Sequence, residues 1–189
     1  MDIKIPETYS SLFRDINGVV KYHNIILRTL SNNVSSEDNV DAIISKMEEI
    51  LKKANGIGLA APQIGINKRI ILINLGKKHI VINPVILEKN GTYISDEGCL
   101  SIPGLWGKVN RHKNVILGGM SPSGKEITIN LENMSAVVAQ HEIDHLNGIL
   151  FFDNETAISD SFYWQKDRDS EPLDIEYLDT QQFPQSAEM

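Results

Sequence analysis

The sequence predicts an α+β fold in which antiparallel sheets pack around one central metal-binding helix, with an amphipathic helix nearer the N-terminus. Three observations carry this expectation. Strand-like segments cluster between residues 69 and 131 instead of alternating with helices, which favours antiparallel sheets over a doubly wound parallel one. Val40, Ile43, Ile44, Met47, Ile50 and Leu51 recur at helical spacing and form an apolar stripe. A second helical segment over 134–147 starts apolar, carries His141-Glu142-Ile143-Asp144-His145, and stops at Gly148.

In chain order, residues 1–24 lack a sustained period and read as an irregular arm packed on the domain. A polar loop over 31–39 leads to a helix starting near Ser35 or Ser36, where Ser35 and Asp38 have capping-box spacing. Asn55-Gly56 ends that helix. Gly56-Ile57-Gly58-Leu59-Ala60-Ala61-Pro62-Gln63 reads as a compact loop whose small side chains let backbone approach a ligand or simply pack. It has no lysine and follows a helix, so it is not a nucleotide cradle.

Residues 69–75 and 80–87 are strand-like, and 92–94 form a short strand. Glu97-Gly98-Cys99-Leu100-Ser101 reads as a tight turn, followed by Pro103-Gly104. Residues 115–117 and 127–131 make a hairpin across Ser121-Pro122-Ser123-Gly124, with Ile127, Ile129 and Leu131 on one face.

The chain has 189 residues, 41% of them hydrophobic, which suits one domain over 1–152. Residues 153–189 hold ten acidic and two basic side chains, a net of −8 against −7 for the chain. They read as an acidic, partly disordered tail in which Phe162, Tyr163 and Trp164 anchor a short piece. Nothing here has the clustered basic charge of a nucleic-acid surface. No apolar run reaches the roughly 18 residues of a membrane span, no secretory leader is visible, and one cysteine rules out an intrachain disulfide. A cytoplasmic location is expected.

His141 and His145 lie four residues apart, so on a helix both imidazoles face one way, roughly 6 Å apart, and can share a metal ion. Glu142 follows the first and is placed to take a proton from a water there. A catalytic site of this kind needs a third protein ligand. No histidine lies downstream, where only Glu155 and Glu171 are carboxylate candidates in the polar tail. Upstream stand Cys99, His23, His79 and His112. Cys99 is either an inert buried thiol, the commoner fate of a lone cysteine, or a thiolate ligand.

Three segments, Gly56 to Gln63, Glu97 to Ser101 and Gln140 to His145, resemble the signature motifs of the peptide deformylase family, in its order and near its usual separations. The similarity spans roughly residues 22 to 153. It implies hydrolysis of the N-formyl group from the initiator methionine of new polypeptides, with release of formate. It implies Cys99, His141 and His145 as ligands of one divalent ion, usually Fe(II), with Zn, Ni or Co able to substitute. It also implies Glu142 as the proton carrier, and the Gln63 side chain and Leu100 N–H as oxyanion donors. The substrate backbone would lie along Gly56, Ile57 and Gly58. Met134, Val137 and Val138 share the face of His141 and would line a slot for the methionine side chain with Ile57. Arg111 aligns with a family arginine near the cleft. The acidic tail departs from the basic C-terminal helix with which some bacterial members dock on the ribosome, so ribosome association is expected to be weak. The competing readings are a zincin-type endopeptidase, which needs a downstream ligand, and an inactive homologue that binds formylated peptides.

Overall fold

Strand β2 (Ile70–Leu75) forms the middle of the molecule because it is apolar on both faces. In this computed structural model, which describes Ile3, Ile5 and residues 7–13, 18–158 and 161–165, helix α1 (Val40–Lys53) covers one face of that strand. Helix α2 (Met134–Leu146) covers the other. Ile70 and Leu72 pack with Met47, Ile50 and Leu51 of α1, while Ile71 and Ile73 pack with Ala136, Ala139 and Ile143 of α2. Residues 70–73 of the strand therefore read as an unbroken apolar run and not as an alternation.

Five strands form the first sheet in the order β1-β2-β3-β6-β7, where β1 is Gly58–Ala60, β3 is Lys77–Asn90, β6 is Asn114–Met120 and β7 is Glu126–Glu132. The second sheet has the order β4-β5-β8, with β4 at Tyr93–Cys99, β5 at Ile102–Arg111 and β8 at Tyr163–Trp164. Every pairing is antiparallel. The β6–β7 hairpin closes across the expected turn, with Ser121 N–H donating to the Lys125 carbonyl at 2.8 Å. Among the described residues no helix is long and apolar enough to cross a membrane.

Several expectations need correction. Helix α1 starts at Val40, not near Ser35, because Asn39 is its N-cap and accepts from Ala42 N–H at 3.2 Å. Ser35 and Asp38 do bond to each other, but in the turn before the helix. Part of the glycine segment is a strand: β1 pairs Gly58 with Ile73, and the chain then turns through the 3₁₀ helix Ala61–Ile64. The segment around Cys99 is not a tight turn throughout, since Glu97 to Cys99 complete β4 and its partner β5 carries Pro103 and two glycines. Those residues hid β5, because they are ordinarily rare inside strands. Gly107 is there to make room: a Cβ would lie 2.1 Å from the Phe162 ring.

The N-terminal arm packs on the domain partly as the 3₁₀ helix Glu7–Phe13, with the Tyr9 ring 5.2 Å from that of Trp164. Past residue 152 the chain continues the same core, burying Phe162 and Trp164 with Phe151, Phe152 and Leu105. Residues 166–189 of the acidic segment lie outside the described residues.

Candidate active site

Helix α2 is buried along most of its length because it is sandwiched between the two sheets. His141 and His145 leave it towards β4, with ring centroids 5.0 Å apart. In β4, alternation sends Ser95, Glu97 and Cys99 to the buried face, towards α2. Cys99 Sγ thus comes to 3.2 Å from His145 Nε2. The candidate ligand atoms of Cys99, His141 and His145 all lie within 4.8 Å of one another. A thiolate and two imidazoles at this separation suit a borderline-soft divalent ion. Of the other candidates, Glu155 is exposed, His23, His79 and His112 stand outside the cluster, and Glu171 lies outside the described residues.

The two histidines differ behind the ring. His141 Nδ1 meets Glu97 Oε2 at 2.8 Å, which turns its Nε2 towards the site. His145 Nδ1 is buried without a protein partner. Glu97 is itself gripped by Arg111, through Nε at 2.8 Å and Nη2 at 2.9 Å, and by the Ser95 hydroxyl at 2.8 Å. Arg111 Nη1 reaches on to Asp144 Oδ2 at 2.6 Å, to which Asn154 also donates.

These contacts set the charges. Burial disfavours the Glu97 carboxylate, but hydrogen bonds from Arg111 and His141 outweigh it and hold the group at about 2. Burial likewise opposes a Cys99 thiolate, yet the charge of His145 and the bonds to both histidines pull its pKa well down. His141 is pulled up against burial by Cys99 and Glu97. Without a metal the site thus pairs a Cys99 thiolate with imidazolium charge, and a divalent ion bound there would release the imidazole protons. Glu142 behaves differently: burial pushes its carboxyl up to about 7. Its Oε2 has no protein partner, and Gly58 stands so close that a Cβ there would lie 2.3 Å from Oε1 and 2.6 Å from a Val138 methyl carbon.

The site opens into a cleft of about 590 Å³ lined by Gly56, Ile57, Gly58, Gln63, Cys99, Leu100, Met134, Val137, Val138, His141 and Glu142. His145 lies in the cluster beneath this cleft, and Arg111 reaches the site only through Glu97. Glu97, Arg111 and Asp144 were the residues whose work was missed or only half seen. The Ser95-Glu97-Cys99 alternation is the signal that could have found Glu97, had the segment been read as a strand.

A mixed α+β scaffold with one thiol, two imidazoles and a buried carboxyl at one cleft is the kind of site that a metallohydrolase uses. The polypeptide deformylase profile matches residues 16–160. A peptide deformylase of Syntrophomonas wolfei is 46% identical over 119 residues, 61% of this chain and 78% of that one. Among solved structures, the Synechococcus elongatus peptide deformylase in complex with actinonin has a TM-score of 0.69 at 36% identity, covering 71% of this chain and 78% of that one. The Met-Ala-Ser-bound peptide deformylase of Acinetobacter baumannii has a TM-score of 0.67 at 31% identity, covering 70% of this chain and 94% of that one. The chain belongs to the polypeptide deformylase family.

Proposed function

We propose that the chain removes the N-formyl group from the N-terminal methionine of newly made polypeptides, releasing formate and a free amine. The observation that carries this reading is the convergence of Cys99, His141 and His145 within 4.8 Å, beside buried Glu142 in an open cleft. The three ligands suit Fe(II), the ion we propose for the cell, and accept Zn, Ni or Co in its place. When bound, the ion supplies Lewis acidity and lowers the pKa of a water.

The remaining work falls to this chain's own groups. Glu142, with a carboxyl pushed up to about 7, is poised to accept the proton of the attacking water and return it to the departing amine nitrogen. Gln63 Nε2 and the Leu100 N–H supply donors for the oxygen that gains charge. Gly56, Ile57 and Gly58 present backbone to the peptide at the β1 edge, a strand-addition mode supported by the outer position of β1 in its sheet. Met134, Val137, Val138 and the partly exposed Ile57 line the cleft beside His141, which supports their serving as an apolar slot for methionine. The Met-Ala-Ser-bound relative supports a peptide of this kind as ligand. With net charge −8 over 153–189, we propose that any ribosome contact is weak.

A formate-release assay on formyl-Met-Ala-Ser, with casein cleavage alongside, tests the reading. Formate without casein cleavage is expected. Casein cleavage would favour an endopeptidase, and peptide binding without formate would favour an inactive homologue.

A further inference from the structure

We propose that Ser101 is a positioning residue for Gln63, and that Gln63 in the resting site donates to the Cys99 sulfur before it serves a substrate. The inference rests on the deformylase reading above and deepens it. Gln63 Oε1 accepts the Ala60 backbone N–H at 2.8 Å. That bond decides which end of the carboxamide faces the site, because the reversed amide would set N–H against N–H. Nε2 therefore faces Ser101 Oγ at 3.3 Å and Cys99 Sγ at 3.6 Å.

A primary amide has two N–H bonds, so both protons of Nε2 are engaged within the protein. Gln63 is 1% exposed and Ser101 0%, which denies either a ready exchange with bulk solvent. The main chain around them is also pinned. Val20 N–H donates to the Gln63 carbonyl at 2.7 Å, Tyr22 N–H to the Ser101 carbonyl at 2.8 Å, and Lys21 Nζ to the Leu100 carbonyl at 2.9 Å. Residues 20–22 thus clip the glutamine and cysteine segments together, and the amide's own torsions are the freedom that remains.

An oxyanion in the cleft can claim only one of those two protons. The Nε2 proton donated to Ser101 Oγ holds the amide plane, while the longer, weaker bond to Sγ is the one to give way. Gln63 then moves from sulfur to substrate with a small rotation. Without Ser101 the amide loses its anchor and spends less time aimed at the reacting carbonyl.

Two readouts test this. Cobalt(II)-loaded protein without substrate should show a thiolate-to-cobalt charge-transfer band that moves to lower energy in Gln63→Ala, and in the same direction but less in Ser101→Ala. In formate release, Ser101→Ala should lower kcat about tenfold with KM within about twofold, and should add nothing in the Gln63→Ala background. A band unmoved in both variants, or additive losses in the double variant, would overturn the proposal. If Ser101→Ala does not fold, the wild type labelled with ¹⁵N-glutamine and loaded with zinc decides. A Gln63 amide pair with well-separated, slowly exchanging protons supports the proposal, and a degenerate or fast-exchanging pair refutes it. The spectra need no substrate, so the expected band shifts without formate release would instead refute the deformylase reading.

Discussion

The two sheets that flank α2 hold it by different means. Towards the five-stranded sheet the helix buries Ala136, Ala139, Ile143 and Leu146 among Ile71, Ile73, Val115, Leu117 and Leu131. Towards the three-stranded sheet it presents His141, Asp144 and His145 to Glu97, Arg111 and Cys99 through hydrogen bonds and an ion pair. The first interface supplies affinity between layers by removing apolar area from water. The second supplies direction, because hydrogen bonds and ion pairs fix angles where apolar packing does not. Damage on the apolar side should therefore appear as lost stability in an enzyme that still works when folded. Damage on the polar side should appear as lost metal or turnover.

The sharpest separation comes at Glu142, which belongs to neither interface. Glu142→Ala is expected to lower kcat by about 10³–10⁴-fold while metal content, measured by elemental analysis, stays near one ion per chain. Next is Glu97→Gln, which removes one of the two carboxylates that hold the buried Arg111 guanidinium and leaves Asp144 as the other, so it should cost up to about 3–5 kcal/mol near neutral pH. Its pH dependence carries a sign. Glu97 titrates at about 2 in the folded protein against an ordinary 4.5. The unfolded chain therefore binds the extra proton, and the stabilisation is whole above about 4.5 and is lost as pH falls through about 2. Urea titrations of metal-free protein should show the gap between wild type and variant narrowing across that window, and a constant gap would contradict this account.

On the apolar side, Leu117→Ala should cost about 2–5 kcal/mol in the same titrations, with kcat of the folded, metal-loaded protein within about twofold of wild type. Gly58→Ala joins the two sides of the comparison. Its Cβ would meet both Glu142 and Val138, so a displaced carboxylate should lower kcat by about 10²-fold with a smaller effect on the melting temperature. The smallest effect belongs outside both interfaces. Lys53→Ala removes an exposed i,i+4 pair with Glu49 and should leave the urea midpoint almost unmoved.

The same contrast explains what the sequence made legible. The histidine pair and Glu142 sit within five residues of one helix, so local spacing alone brings them together. The apolar stripe of α1 and the β6–β7 hairpin were likewise local patterns. Cys99 reaches His145 across 46 positions, and what pointed there was its being the one thiol of the chain, together with the order of the three motifs. Strand β5 was missed because Pro103, Gly104 and Gly107 look like breakers, whereas Gly107 answers to the Phe162 ring far along the chain. The start of α1 was misplaced because Asn39 and Ser35 are both able caps, and only the backbone decides between them. The Glu97–Arg111–Asp144 network depends on β4 alternation, which the glycine and cysteine of that segment disguised.

The central claim is that one sulfur and two imidazole nitrogens hold a single ion against α2. X-ray absorption at the metal edge of zinc-loaded protein tests it most directly. The account predicts one sulfur at about 2.3 Å and two nitrogens at about 2.0–2.1 Å, with the sulfur lost in Cys99→Ala. A shell of nitrogen and oxygen alone in the wild type would contradict it.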